Sequence, residues 1–314
     1  MNEGISKTMQ IIAETTQFNI PYPTAVAIGK FDGIHLGHQK LLQNILQQKK
    51  QGLKSTIFTF DPTPAEFFSG KKQKELMTRE EKREYFREMG IDYLIEFPMN
   101  TKTAATSPED FVRIILGEKM HTRYITAGTD LSYGDRGLGG VELLQQLSGE
   151  LGYQVEIVDK LCMNGREISS TYVREAVLQG DMELTALLLG RPYSVRGTVV
   201  HGNALGRTID TPTANLIPPQ EKLLPPNGVY VSETLYEGRK YQGMTNIGCK
   251  PTIGEREIYG VETNLFDVEP DLYGKEIEVF LYKHTRPERK FSGLEELTGQ
   301  LARDKKECKN YFLA

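Results

Sequence analysis

Apolar positions in the first half of the chain follow two alternating patterns. Short runs such as "TAVAIG" from Thr24, "KSTIFTF" from Lys54, "DYLIEF" from Asp92 and "RYITAG" from Arg123 have apolar or β-branched residues at their centres, as buried strands do. Longer stretches lie between them, with apolar residues three and four apart: "HQKLLQNILQQKKQ", "TREEKREYFREMG", "SPEDFVRIILGE" and "GGVELLQQLSGELG". That spacing predicts helices with one buried face. Thr78 with glutamates following, and Ser107 with Pro108 after it, supply helix starts, and glycines supply stops. "YQVEIVDKL" continues the series. Strand–helix alternation of this kind predicts a doubly wound parallel sheet, Rossmann-like in layout, with helices on both faces.

The pattern changes near Gly190. "DMELTALLLG" reads as a helix capped by Asp181, and "RPYS" breaks the chain after it. Beyond lie "VRGTVVHG", "GVYVSETLY", "KYQGMTNIG", "VETNLFDV" and "KEIEVFLYKH", separated by Gly, Pro and Asn, and then one helical stretch, "GLEELTGQLARDKKECKNYF". This predicts a small antiparallel β-barrel with a terminal helix. The expected domains are therefore 1–186, of α/β type, and 187–314, the barrel.

Composition agrees with two globular domains and excludes several classes. A chain of 314 residues exceeds what one core usually serves. The net charge of −4 argues against nucleic acid as a partner, since binders of the phosphate backbone carry a basic excess. No stretch approaches the ~18 apolar residues of a membrane span, and the N-terminus has no apolar signal core, so a cytoplasmic location without a membrane partner is expected. Cys162, Cys249 and Cys308 are scattered, with no zinc-ligand spacing and no disulfide framework. Oligomeric state leaves no mark in the sequence.

Candidate chemistry concentrates in "AIGKFDGIHLGHQKLLQNIL", from Ala27. Gly29, Phe31, Asp32, Gly33 and Gly37 surround His35 and His38 where a strand turns into a helix. Backbone N–H groups and the helix dipole at such a turn attract anions, and glycine admits close approach. Two imidazoles three residues apart share one face and can donate to phosphate oxygens. A zinc site is disfavoured, because no third histidine or cysteine lies near. Read without context, one histidine could equally cap the helix while the other stays solvated.

"GKFDGIHLGH" resembles the nucleotidyltransferase signature Gly-x-Phe-Asp-Gly-x-His-x-Gly-His. "REISSTYVREAVLQGDMELTALLLGRPY" resembles the Ile-Ser-Ser-Thr-x-x-Arg segment of prokaryotic FAD synthetases. In the second half, "HGNALGRTIDTPTANL", "LLPPNGVYVSE", "NIGCKPTI" and "DLYGKEIEVFLYK" resemble the riboflavin kinase module. Together they cover nearly the whole chain, in the order of the bifunctional riboflavin kinase/FAD synthetases.

The resemblance implies AMP transfer from ATP to FMN in 1–186, giving FAD and pyrophosphate, and riboflavin phosphorylation by ATP in 187–314. It implies His35 and His38 as catalytic, with Gly29, Phe31, Asp32, Gly33, Gly37, Ser170, Thr171 and Arg174 on ATP. Asp130 would touch flavin. In the second half Gly206 and Arg207 would meet ATP, Thr213 and Asn215 would hold Mg²⁺, and Glu262 would be the general base. Hard oxygen ligands suit Mg²⁺, and a carboxylate suits a hydroxyl proton. The implied partners are ATP, FMN and riboflavin.

Departures from the family pattern are Thr63 in place of a histidine, Leu131 in place of an aromatic, Asn264 in place of a histidine, and Asp210–Thr211 in place of Gly-Phe or Gly-Tyr. A carboxylate at 210 brings like charge toward a triphosphate. Two alternatives stay open at this point: a monofunctional FAD synthetase with a weak kinase domain, and a flavin-binding sensor without chemistry.

Overall fold

A computed structural model describes residues 8–200, 213–250, 258–268 and 271–313. The chain divides into two compact units. The first comprises the residues up to Gln73 and Arg79–Ser169, and the second comprises Lys74–Thr78 and Ser170–Ala314.

In the first unit six parallel strands stand in the order β1-β4-β3-β2-β5-β6. They are β1 (Gln10–Ala13), β2 (Thr24–Ile28), β3 (Lys54–Asp61), β4 (Tyr93–Pro98), β5 (Thr122–Gly128) and β6 (Gln154–Val158). Every residue of β2 is buried, as the unbroken apolar run requires of a central strand. From β2 the chain works outward through β3 and β4, then returns to place β5 on the other side of β2. The strand order therefore reverses at the β2/β5 pair, and the carboxyl ends of these strands form the crevice where doubly wound sheets bind ligands.

Helices α1 (Leu36–Gln47), α2 (Pro64–Ser69), α3 (Arg79–Met89), α4 (Thr101–Ala104), α5 (Pro108–Asp110) and α6 (Val141–Leu151) connect the strands. The stretch opened by Ser107 and Pro108 continues as a π-helical turn, Phe111–Lys119, which buries Phe111, Val112, Ile115 and Leu116. Asn44 pins α1 to the sheet, donating from Nδ2 to Glu156 Oε1 at 2.7 Å and to Thr126 Oγ1 at 3.3 Å. On β4 the buried Glu96 accepts from Arg79 Nε at 2.9 Å and Arg83 Nε at 3.0 Å, seating α3. Burial pushes the Glu96 carboxyl up, but Arg83 and Arg79 outweigh it and hold the group below its ordinary value. A small hairpin, β7 (Cys162–Met163) and β8 (Arg166–Glu167), precedes Ser170.

The second unit begins with α7 (Ser170–Gln179) and α8 (Met182–Leu189), the latter capped by Asp181, which accepts from Leu184 N at 2.9 Å. Six antiparallel strands then close a barrel in the order β10-β13-β12-β11-β14-β9. They are β9 (Tyr193–Val200), β10 (Ala214–Leu216), β11 (Gly228–Tyr236), β12 (Arg239–Lys250), β13 (Ile258–Leu265) and β14 (Glu276–Pro287). Closure leaves no free edge. The interior carries a linked set of buried hydroxyls, with Thr245 Oγ1 hydrogen-bonded to Ser232 Oγ at 2.7 Å and to Thr263 Oγ1 at 3.0 Å, as donor to one and acceptor from the other. The terminal helix α9 (Leu294–Tyr311) packs Cys308 among Val229, Val231, Met244 and Phe266. Its buried Asp304 accepts from Arg286 Nε at 3.0 Å and Nη2 at 2.7 Å. Lys74–Thr78 reaches the barrel through an isolated bridge, with Leu223 N donating to Glu75 O at 2.7 Å and the buried Lys222 Nζ to Leu76 O at 2.9 Å.

Candidate active sites

The histidine turn sits at the carboxyl end of β2, at the point of reversal. Gly29 N donates to Phe58 O at 3.1 Å and ends the strand. The backbone then enters left-handed conformations at Phe31 (φ +54°), Gly33 (φ +79°) and Ile34 (φ +46°), unusual for Phe and Ile. These residues and Asp32 are buried. His35 is the N-cap of α1, and its Nδ1 accepts from the backbone N–H of His38 at 3.4 Å. That bond places the neutral ring's proton on Nε2.

His38 stacks on His35 with centroids 3.8 Å apart and planes 21° apart. Its Nδ1 is buried and makes no hydrogen bond. A buried orphan lone pair costs less than a buried orphan N–H, so the proton belongs on Nε2. Burial, and secondly the charge of His35, push the His38 pKa well below its ordinary 6.5. The pair thus offers imidazole N–H donors, with His38 held neutral, at a helix N-terminus, where charge on phosphate oxygens is stabilised. Gly37 packs closely on the pair, since a Cβ there would lie 3.2 Å from the His35 ring, which would have to give by a few tenths of an ångström.

An apolar pocket, open to solvent, lies at the carboxyl ends of β3 and β4. Phe60 and Phe97 line it from the strands, Phe111 and Ile115 from the π-helical turn, Pro64 and Phe68 from α2, and Ser132–Gly134 from the loop after β5. The rings interlock, with Phe111 and Tyr133 4.9 Å apart and Phe60 and Phe97 6.1 Å apart. Such walls suit a flat aromatic ligand. Sequence reading missed this pocket, because each of its phenylalanines falls in a run that reads as core. Thr63, noted above only for the histidine it replaces, has a structural task here. It is the N-cap of α2, completing a capping box with Glu66, whose Oε2 accepts from Thr63 Oγ1 at 2.8 Å.

Asp130 is exposed and ion-paired with Lys160 at 3.4 Å, and it does not line this pocket. Ser170, Thr171 and Arg174 share the first turn and a half of α7, in the second compact unit. Arg174 Nη1 donates there to Lys74 O.

In the barrel, Glu262 on β13 lies between Asn215 on β10 and Asn246 on β12, in register with both. Asn215 Nδ2 stands 3.3 Å from Thr213 O and 3.4 Å from Thr213 Oγ1. Three of the expected kinase residues therefore share one patch of the barrel wall. Gly206, Arg207, Asp210 and Thr211 lie outside the described residues.

Comparison with known proteins decides the family. Residues 17–172 match the FAD synthetase family and residues 189–312 match the riboflavin kinase family. The bifunctional riboflavin kinase/FMN adenylyltransferase of Bacillus subtilis is 38% identical over 296 residues, spanning 92% of each chain. That of Escherichia coli K12 is 38% identical over 291 residues, spanning 91% of this chain and 92% of its own. The chain belongs to the bifunctional riboflavin kinase/FMN adenylyltransferase family. A crystal structure from Streptococcus pneumoniae described as a macrolide-efflux protein is also similar, at 30% identity and a TM-score of 0.82 over 96% of this chain and 99% of that one. In this member of the riboflavin kinase/FMN adenylyltransferase family, no helix among the described residues is long and apolar enough to cross a membrane.

Proposed function

We propose that the first unit transfers AMP from ATP to FMN, giving FAD and pyrophosphate, and that the barrel unit makes FMN by phosphorylating riboflavin with ATP. The stacked histidine pair at the sheet's reversal point carries the first assignment. In adenylyl transfer an FMN phosphate oxygen attacks the ATP α-phosphorus and pyrophosphate leaves. The nucleophile is already ionised, so the residues must position the reactants and stabilise charge rather than remove a proton. His35 and His38 do this through Nε2–H, beside the N-terminal amides of α1. Gly29, Phe31, Asp32, Gly33 and Gly37 shape the phosphate cradle, and the pocket at β3 and β4 receives the flavin rings. We assign Ser170, Thr171 and Arg174 to ATP phosphates on the family resemblance, and Asp130 to the flavin on the same ground.

In the kinase reaction the 5′-hydroxyl of riboflavin attacks the γ-phosphorus, the bond from that phosphorus to the bridging oxygen breaks and ADP leaves, and Glu262 accepts the hydroxyl proton. Thr213 and Asn215 fit a hard cation, since a turn of the Asn215 amide brings its oxygen beside Thr213 Oγ1. Mg²⁺ held there supplies charge compensation for the ATP phosphates. Gly206 and Arg207 are assigned to ATP by resemblance. A chain that uses ATP and FMN as substrates belongs in the cytoplasm.

Two alternatives are weaker. A sensor gains nothing from keeping both His38 and Glu262, and the relatives are named for both activities. Incubation with ATP, Mg²⁺ and either riboflavin or FMN, followed by separation of the flavins, tests the proposal. FMN and then FAD are expected from riboflavin, and FAD from FMN. Binding without turnover would leave only the sensor.

A further inference from the structure

The ring stack behind His38 continues beyond the signature turn. Phe31 lies 5.1 Å from the His38 ring, and Phe86 of α3 meets Phe31 edge-on, with centroids 5.9 Å apart and planes 87° apart. Phe86 is 2% exposed and Phe31 1%. The Phe31 ring has little room to move, because a Cβ on Gly29 would already lie 3.3 Å from it. Four rings, Phe86, Phe31, His38 and His35, are therefore in contact in series.

This arrangement bears on how His38 is aimed. Functional histidines are ordinarily oriented by a hydrogen bond to the ring nitrogen that faces away from the chemistry. In His38 that nitrogen, Nδ1, is buried and makes no hydrogen bond. Ring packing must do the orienting instead. His35 and Phe31 belong to the turn itself, whereas Phe86 comes from a different element. α3 is in turn locked to β4, because Arg79 and Arg83 bond to Glu96.

We propose that Phe86 is a positioning residue for AMP transfer: wedged behind Phe31, it holds the His38 ring so that its Nε2 edge is presented to the phosphates. The inference rests on the adenylyltransferase reading of His38. The titratable groups around the ring are few. His35 stands on its own turn, with Asp32 buried in that turn. β2 contributes only Thr24 and apolar residues. α3 presents Phe86 and buries Glu81, with Arg79 paired to Glu96 and Asp61 and Arg83 to Glu96.

The test uses the full chain with Phe86→Leu, which keeps bulk but removes the ring, and Phe86→Tyr, which keeps the ring. His38 is titrated by NMR on ¹⁵N-histidine-labelled protein and assigned with His38→Gln. In Phe86→Leu we expect the His38 midpoint to rise toward 6.5 by about half a pH unit or more, as water gains access. FAD formation from FMN should fall about tenfold in kcat with little change in KM for ATP, the scale of a misplaced group. Riboflavin phosphorylation should be unchanged, and Phe86→Tyr should restore both the titration and the rate. If Phe86→Leu does not fold, Phe86→Met is measured in its place. An unmoved His38 titration in the ring-deleted variant overturns the proposal, whatever the rate does. Normal FAD formation by His38→Ala would instead overturn the adenylyltransferase reading, so the two failures are distinct.

Discussion

His38 is where burial and chemistry meet. Its ring is desolvated and stacked, which keeps it neutral, and a neutral imidazole can donate without carrying a proton that must first be lost. His38→Ala should reduce FAD formation from FMN by roughly 10²-fold or more, the scale of losing a donor to a transition-state oxyanion, while riboflavin phosphorylation continues. Separating the flavins after each reaction checks this, and unreduced adenylylation counts against the role. The same desolvation has a cost in acid. The unfolded chain binds a proton at the ordinary 6.5, whereas folded His38 resists it to a much lower pH. The unfolded state therefore holds more protons, and stability falls as pH drops below about 6.5 until the folded value is reached. Denaturant melts between pH 7 and 5 should show that slope in the parent and a shallower one in His38→Gln. Equal slopes would place the titration elsewhere. The histidine pair itself was legible in the sequence, because a strand, glycines and a helix surround it within a few residues. Its charge state was not, because that depends on the burial of the ring between Phe31 and His35.

Elements that position these residues were legible where periodicity was strong. β2 is buried throughout and β3, β4 and β5 at their centres, and α1, α3 and α6 each bury one face. β1 and β10 were not read, for a physical reason. β1 has four residues and β10 three, too few to display alternation, and Thr213 to Asn215 reads equally well as a turn. The apolar pocket proposed for the flavin was also invisible, since Phe60, Phe97, Phe111 and Tyr133 meet only after the sheet has formed. Its walls depend on two local devices. Tyr133 and Gly139 exchange backbone hydrogen bonds at 3.0 and 2.9 Å, and a Cβ on Gly139 would fall 2.5 Å from the Tyr133 ring. Gly139→Ala should displace Tyr133 and raise the KM for FMN by about tenfold, as one lost aromatic wall implies. Unchanged FMN affinity by titration would mean the ring is not part of the flavin site. Thr63→Ala should remove the cap of α2 at a cost of about 1 kcal/mol. It should weaken FMN binding through Pro64 and Phe68, with kinase kinetics as the control that must not move.

At the scale of the whole molecule, two folds in series were legible because the period of the apolar residues changes once, near Gly190, and the two families were legible from their motifs. The compact units are less simply cut. The matched families change over between residues 172 and 189, yet α7, α8 and Lys74–Thr78 group with the barrel. A fragment of 187–314 should fold, since the barrel closes on itself, but it loses the partners of Lys222 and should melt below the barrel of the full chain. A fragment without β-sheet signal by circular dichroism would contradict this. The central claim is that one chain performs two successive transfers at separate sites. It is tested most directly by following riboflavin, FMN and FAD together over time, with ATP and Mg²⁺, in the parent, His38→Ala and Glu262→Gln. The parent should pass riboflavin through FMN to FAD. His38→Ala should accumulate FMN, and Glu262→Gln should leave riboflavin unconverted yet make FAD when given FMN. FAD from His38→Ala at the parent's rate, or FMN from Glu262→Gln at the parent's rate, would contradict the account.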